Sequence, residues 1–398
     1  MIAAPAAAGR AFGAAKKRVA AVVTEYRRDS HADVIVGRLL EGYEYDGQRR
    51  PPGVRVVSMY TDQVPGNDMS RALAARYDVK VCPTVREALT LGQDKLAVDA
   101  VVLIGEHGSY PLNDKGQKLY PRYRLYQQVV DVFRRSGRAV PVYCDKHLST
   151  EWTEAKRMYE EARELRFPLM AGSSLPVTWR RPPLELDPGA PVERAVTVFY
   201  SDKEAYGFHA LEALECMVER RQGGETGIAA VECLEGPAVW SWTDANAWAG
   251  RLLEAAVARS ETRKAGPPRE NAPAPILFRL EYRSGLAAAV YLLDGYCRDC
   301  TFAAAIRGRS EPAATEIWLQ PGRPFSHFSA LVHYIEQMIG TGREPYPPER
   351  TLLTTGALAA LMNSRGNRIE TPYLDVTYRE PSGSLFARGP VPALESSR

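Results

Sequence analysis

The 398-residue sequence holds no run of about 18 apolar residues, which excludes a membrane-spanning helix of ordinary length. It has six cysteines, far too few for a disulfide scaffold at this length. Charge of one sign is not in excess. Lys+Arg numbers 51 and Asp+Glu 48, a net +3 with His neutral, so neither a nucleic-acid footprint nor a polybasic membrane tail is present. Histidine is scarce too, at six residues, so where those six fall carries information. There is no internal repeat and no compact metal motif of the H-E-x-x-H kind. What remains is an ordinary globular composition, 45% hydrophobic and 25% charged. The chain is long enough for two or three domains at about 150 residues each, with a large core that needs no staples.

Residues 1–15, MIAAPAAAGRAFGAA, are small and Ala-rich. A secretory signal carries its basic residues ahead of the apolar core. Here Lys16 and Lys17 follow the Ala run. That order favours a flexible tail and a cytoplasmic protein over the remnant of a processed export signal.

From Lys16 to about Pro183 short apolar runs alternate with amphipathic segments. RVAAVVT (18–24), VRVVSMY (54–60), 79–83, VDAVVLI (98–104), 140–144 and 169–173 read as strands. Helical spacing fills 33–42, 67–78, 84–91, 125–136 and 150–165, with Ser30 and Thr84 as N-caps. This alternation predicts an α/β domain over 16–183, a doubly wound parallel sheet with right-handed crossovers. From about Glu193 the strands lengthen and alternate: VERAVTVFYS, IAAVECLEG, ILFRLEYRSG, AAAVYLLDG and TEIWLQPG. Helices are expected at 207–221, 243–260, 328–340 and 348–364. The second unit, 184–398, is therefore an α+β domain on an open antiparallel sheet, with the final helix and strand packing back.

In an open parallel sheet, ligands bind beyond the carboxyl ends of the strands. That edge carries Arg27, Arg28, Ser30, His31 and Asp33 after the first strand and Asp62 after the second. Glu106, His107 and Tyr110 follow the fourth strand, and Asp145, Lys146 and His147 the fifth. Three of the six histidines fall on this one edge, and His209 opens a helix that can face them. His327 and His333 lie near a C-terminal helix.

Several segments resemble the glucose–fructose oxidoreductase/inositol dehydrogenase (Gfo/Idh/MocA) family. AARYDVKVCPTVREALTLGQDKLAVDAVVLIGEH resembles that family's third-to-fourth-strand region. VPVYCDKHLS resembles its Glu-Lys-Pro segment, with Asp145, Lys146 and His147 in those places. YGFHALEAL resembles its Asp-x-Gly-x-His-x-x-Asp helix start. Gly207 and His209 match, Glu212 replaces the last Asp, and Ala205 stands where the first belongs. YPPERTLLTTGALAALMNSRGNRIETP resembles its C-terminal helix and closing strand. The resemblance implies a Rossmann-like N-terminal domain, a small sugar or polyol substrate, NAD or NADP as cofactor, and a homo-oligomer joined through the antiparallel sheet. It assigns the acid–base work to Lys146 and His209, aided by Asp145 and Glu212; Glu204 is a further carboxylate that can orient His209.

The turn after the first strand departs from that pattern. Glycines there let the backbone approach a pyrophosphate. This chain reads T-E-Y-R-R-D-S-H-A-D, without glycine. Arg27 and Arg28 can hold a phosphate by charge instead, with Ser30 and the helix N-terminus adding amide donors, or they form only a solvated turn. Asp62 can accept a ribose hydroxyl, and His31, Glu106 and His107 complete the cofactor edge.

A second reading needs no nicotinamide. His31, Glu106, His107, Asp145, His147 and His209, supplied by separate loops, could hold a divalent metal or form an acid–base pair for a sugar lyase, epimerase or hydrolase. A third is a non-catalytic binding or assembly module on the same fold. Cys297 and Cys300 form a lone C-x-x-C without a second pair, and read as ordinary cysteines. Tyr120, Tyr123 and Tyr126, near the loop after the fourth strand, could stack on a sugar face, but their spacing of three more commonly marks a helix face packing on its own sheet, and Trp240, Trp242 and Trp248 fit the core or a sheet face.

Overall fold

The computed structural model describes residues 15–395. The Ala-rich segment at 1–15 lies, except for residue 15, outside the described residues. No helix among the described residues is long and apolar enough to cross a membrane.

The first half runs β1 (Arg18–Val23), α1 (His31–Glu41), a hairpin of β2 (Tyr43–Tyr45) and β3 (Gln48–Arg50), β4 (Arg55–Thr61), α2 (Ser70–Tyr77), β5 (Lys80–Cys82), α3 (Val85–Thr90), β6 (Ala100–Ile104), α4 (Arg122–Ser136), β7 (Val142–Asp145), α5 (Trp152–Glu164) and β8 (Leu169–Gly172). The six longer-range strands pair in parallel in the order β5-β4-β1-β6-β7-β8. The unbroken apolar run of β1 follows from its place in the middle of this sheet. Val19, Ala21 and Val23 enter the core on one face, Ala20 and Val22 the core on the other, so no polar alternation is tolerated. Ser30 caps α1, its Oγ accepting from the Asp33 amide at 3.3 Å, and Thr84 caps α3 through the Glu87 amide at 3.1 Å. Gly42 ends α1 at φ +79°, where a Cβ would lie 2.4 Å from the Arg50 carbonyl oxygen.

The second half comprises β9 (Trp179–Arg181), β10 (Val192–Phe199), α6 (Ala205–Val218), β11 (Ile228–Glu235), α7 (Pro237–Ala245), α8 (Ala247–Val257), the short α9 (Pro268–Asn271), β12 (Ile276–Tyr282), β13 (Ala287–Leu292), β14 (Cys300–Ile306), β15 (Ala313–Trp318), α10 (His327–Thr341), α11 (Glu349–Ser364) and β16 (Ile369–Glu370). Eight strands form one sheet in the order β16-β11-β12-β13-β10-β14-β15-β9.

Four features differ from the sequence expectation. β14 is a central strand between β10 and β15 that the sequence expectation did not include: three consecutive alanines separate Thr301 and Phe302 from Ile306 and interrupt the β-branched and aromatic pattern. β10 and β13 pair in parallel, so the sheet is mixed and only largely antiparallel. β9 pairs with β15, so the chain has entered the second sheet before Pro183. One face of the sheet carries α7 and α8: Val239, Leu252, Leu253 and Ala256 pack there with Val196, Val198, Ala289 and Tyr291. The helix expected over 243–260 is this pair, broken at Asn246.

The two halves share elements. α10 packs beside α1 and joins the core of the first sheet, while α11 packs on both α5 and α6. Arg350 on α11 makes a fully buried bidentate pair with Glu219 at the end of α6, at 2.7 and 2.6 Å. These bridges set the carboxyl edge of the first sheet against α6 and the second sheet.

Candidate active site

At that junction lies a cavity of about 680 Å³. Its walls include Lys146, His209, His31 and His107, with Tyr206 and Trp318 from the second half. Lys146 follows β7 and is held at φ +61°, a left-handed conformation that costs a non-glycine residue about 1–3 kcal/mol. Its amide donates to the Gly172 carbonyl at 3.1 Å, fixing the turn. The side chain is 6% exposed, and its Nζ lies 2.8 Å from His209 Nε2 and 3.9 Å from Glu106 Oε1. Lys146 and His209 thus meet across the domain junction from 63 residues apart.

The two carboxylates considered as orienters of His209 are engaged elsewhere. Glu212 is buried under the turn after β8. Its Oε2 accepts from the Ser173 amide at 2.7 Å and its Oε1 from the Thr351 hydroxyl at 2.9 Å. Burial pushes its carboxyl up to about 7, against the pull of the Ser173 and Thr351 hydrogen bonds. Glu204 accepts from the Lys118 amide at 3.0 Å and lies 3.5 Å from His147 Nε2. His209 Nδ1 has no hydrogen-bond partner.

The other titratable groups form pairs. His31 Nδ1 lies 2.7 Å from Oδ2 of the fully buried Asp145. Arg122, absent from the residues singled out in the sequence, lies 2.5 Å from Glu106 Oε2 and 3.1 Å from His147 Nε2. Burial pushes the Glu106 carboxyl up, but the Lys146 ammonium and the Arg122 guanidinium pull it further down, to about 2. His107 takes φ +69°, and its Nδ1 accepts from Arg27 Nη2 at 3.2 Å. Burial, then the neighbouring His31, lowers His107 to about 3; burial and Arg122 lower His147 to about 4. His209 is held well below the ordinary imidazole range by burial first, then by Lys146, His31, His147 and His327. His327, which the sequence placed only near the C-terminal helix, also lines the cavity.

These pairings correct the metal reading of His31, Glu106, His107, His147 and His209. Among the described residues no three His, Cys, Asp or Glu side chains come together to hold a metal ion. Each carboxylate already faces a cation or imidazole, and the His147 ring lies tilted against Phe208 with centroids 5.2 Å apart. The six cysteines are all buried free thiols, Cys297 and Cys300 included.

The edge by β1 and β4 can be tested against a dinucleotide. The Thr24 hydroxyl donates to the Glu106 carbonyl at 2.6 Å, pinning the turn to β6. Tyr26 is fully buried, and Arg27 Nε reaches the buried Glu25 at 2.5 Å. Arg28 is largely exposed. Ser30 Oγ faces the Arg27 and Asp33 amides, and Asp33 is ion-paired with Arg323. Asp62 accepts from Tyr60 and Tyr110 hydroxyls at 2.7 Å each and from Arg124 at 3.0 Å. The arginines match the charge of a diphosphate, and the cavity has room for a reacting ring. Close approach of the backbone, which glycines would allow, is not reproduced, and the Asp62 acceptors are already occupied by the chain's own donors.

Two sheets joined in this way, with a cleft at the carboxyl edge of the parallel one, form a two-part architecture of a Rossmann-like half and an α+β half. The chain has the fold of the Gfo/Idh/MocA oxidoreductases. Solved structures with this fold include GenD2 from gentamicin A biosynthesis in complex with NAD, at 16% identity and TM-score 0.57 over 90% of this chain and 97% of that one. The myo-inositol dehydrogenase of Lactobacillus casei, in complex with NAD(H) and myo-inositol, matches at 12% identity and TM-score 0.56 over 89% and 97% of the two chains. A Gfo/Idh/MocA family oxidoreductase from Vibrio cholerae matches at 13% identity and TM-score 0.50 over 88% and 97%. No family model matches the sequence, and no curated protein does.

Proposed function

We propose that the chain is an oxidoreductase acting on a hydroxyl-bearing carbon of a sugar or polyol, with Lys146 and His209 as its acid–base pair. The observation that carries this reading is the 2.8 Å Lys146–His209 bond on the wall of a large, polar and aromatic cavity. Lys146 donates one N–H to the His209 Nε2 lone pair, so His209 carries its proton on Nδ1. A second N–H of Lys146 is directed by Glu106, and a third is free for the substrate oxygen. The ammonium stabilises that oxygen as its O–H bond weakens, and the buried setting strengthens the interaction relative to water. Tyr206 and Trp318 offer apolar faces to a sugar ring.

NAD(P) is the cofactor this reading requires, as in the solved neighbours that hold it. When bound, its nicotinamide accepts the hydride from the substrate carbon. Arg27 and Arg28 would hold the diphosphate by charge. A nicotinamide-independent acid–base reaction, such as epimerisation, is the second reading. It is favoured by the glycine-free turn and by the saturated Asp62.

Native mass spectrometry of the purified protein, with NADH and NADPH fluorescence titration, separates the two. Turnover is then assayed with NAD+ and NADP+ on a panel that includes myo-inositol. Lys146→Ala and His209→Ala are each expected to abolish turnover while keeping the melting temperature within a few degrees. Turnover retained in both variants removes the roles given to them.

A further inference from the structure

Five imidazoles line or flank the cavity, and hydrogen bonds divide four of them into two kinds. His107, His147 and His209 each present a ring nitrogen to a cation: Arg27 at 3.2 Å, Arg122 at 3.1 Å and Lys146 at 2.8 Å. A cationic donor at that nitrogen favours the ring as acceptor, with its proton on the other nitrogen. In all three rings that other nitrogen is buried without a partner. A second proton on any of these rings would sit against a cation in a dry site.

His31 is the opposite case. Its Nδ1 faces a carboxylate, Asp145 Oδ2, at 2.7 Å, and Asp145 is itself fully buried. Asp145 is further fixed by the Tyr143 hydroxyl at 3.3 Å. His31 therefore carries its proton on Nδ1 and leaves the Nε2 lone pair without a partner in the chain. It is the first residue of α1 and lines the same cavity as Lys146. The ring is held edge-on by Phe328, with centroids 5.1 Å apart. A proton accepted at Nε2 gives an imidazolium whose charge Asp145 balances across a preformed hydrogen bond.

We infer that His31, oriented by Asp145, is a further catalytic residue, the group that takes the proton released at the substrate oxygen. The inference rests on the Lys146–His209 reading above and deepens it. In the oxidation, the O–H bond breaks and its electron pair forms the C=O bond. The hydride leaving the carbon would be taken up by the nicotinamide that the reading above requires, and the proton ends on His31 Nε2. Lys146 and His209 act on that oxygen as the acid–base pair proposed above, and His31 is the final acceptor of the proton. Burial and Lys146 hold the His209 ring low, which favours passing the proton on to His31.

The groups facing His31 are Asp145 from β7, Glu106 and His107 after β6, Lys146 after β7, His209 on α6 and His327 on α10. Removing the Asp145 charge should therefore lower the His31 pKa, since the charged form loses its counter-ion. Two measurements test this on the full chain. The first is 15N NMR of histidine-labelled protein, comparing the parent with Asp145→Asn. The parent His31 should be the Nδ1–H tautomer and titrate at least ten-fold more basic than in the variant. The second is turnover of any panel polyol with NAD+ or NADP+. His31→Gln should lower kcat by about 100-fold or more with KM within three-fold. Asp145→Asn should shift the rising, acidic limb of the kcat/KM profile to lower pH. Unchanged His31 titration in Asp145→Asn, or kcat of His31→Gln within five-fold of the parent, overturns the role. If the parent oxidises no panel polyol and binds neither nicotinamide, the oxidoreductase reading fails and this catalytic step with it, whereas a failed dyad with turnover intact removes His31 alone.

Discussion

Glu106 is the most consequential charge under the site, and replacing it tests the electrostatic reasoning directly. It is 6% exposed, between Lys146 Nζ at 3.9 Å and Arg122 Nη2 at 2.5 Å. Its folded pKa is about 2, against an ordinary 4.5. A depressed carboxyl stabilises the fold above its unfolded pKa and loses that contribution as pH falls through the folded one. Lowering a carboxyl from 4.5 to about 2 corresponds to about 3 kcal/mol at neutral pH. Glu106→Gln keeps the shape and an acceptor for Arg122 but behaves as the protonated form at every pH. The variant should therefore be less stable by about 3 kcal/mol at pH 7, and the gap should narrow to about 2 kcal/mol near pH 3.5. Urea unfolding of parent and variant, followed from pH 7 to pH 3.5, reads this gap. A gap that stays constant with pH, or a variant more stable than the parent at pH 7, refutes the assignment of Glu106 as the counter-ion of Lys146 and Arg122.

Two further perturbations probe what holds the site in place. Gly172 sits at φ +111°, where a Cβ would lie 2.3 Å from Glu212 Oε1 and 2.9 Å from Thr351 Oγ1. Gly172→Ala should cost at least about 2 kcal/mol in urea unfolding, and parental stability would contradict the close packing of Glu212 beneath that turn. Arg350→Met leaves Glu219 buried with Tyr378 alone and should destabilise by about 3–5 kcal/mol. The double variant Arg350→Met/Glu219→Leu should recover part of that loss, and equal melting losses in single and double variants would argue against a buried pair.

The sequence by itself determined the first sheet. The apolar runs at 18–24, 54–60 and 98–104 have no polar alternation because both faces of a central parallel strand are covered, and that property is local enough to read. Ser30 and Thr84 were legible as caps for the same reason. The sequence also placed His31, Glu106, Lys146 and His209 near one edge, since a parallel sheet sends every strand's carboxyl end the same way. The second sheet was less legible. The alanines of β14 pack well only because β10 and β15 flank them, and α8 was visible as a helix without its place on the sheet face. Partnership among the site residues was decided by tertiary structure alone. Whether Glu212 would orient His209 or support Ser173, and whether Asp145 would face Lys146 or His31, depends on distances between chain segments more than 30 residues apart. A carboxylate in a sequence has a charge and a reach, but what it does to its neighbours follows from which cation or imidazole the fold brings within hydrogen-bonding distance.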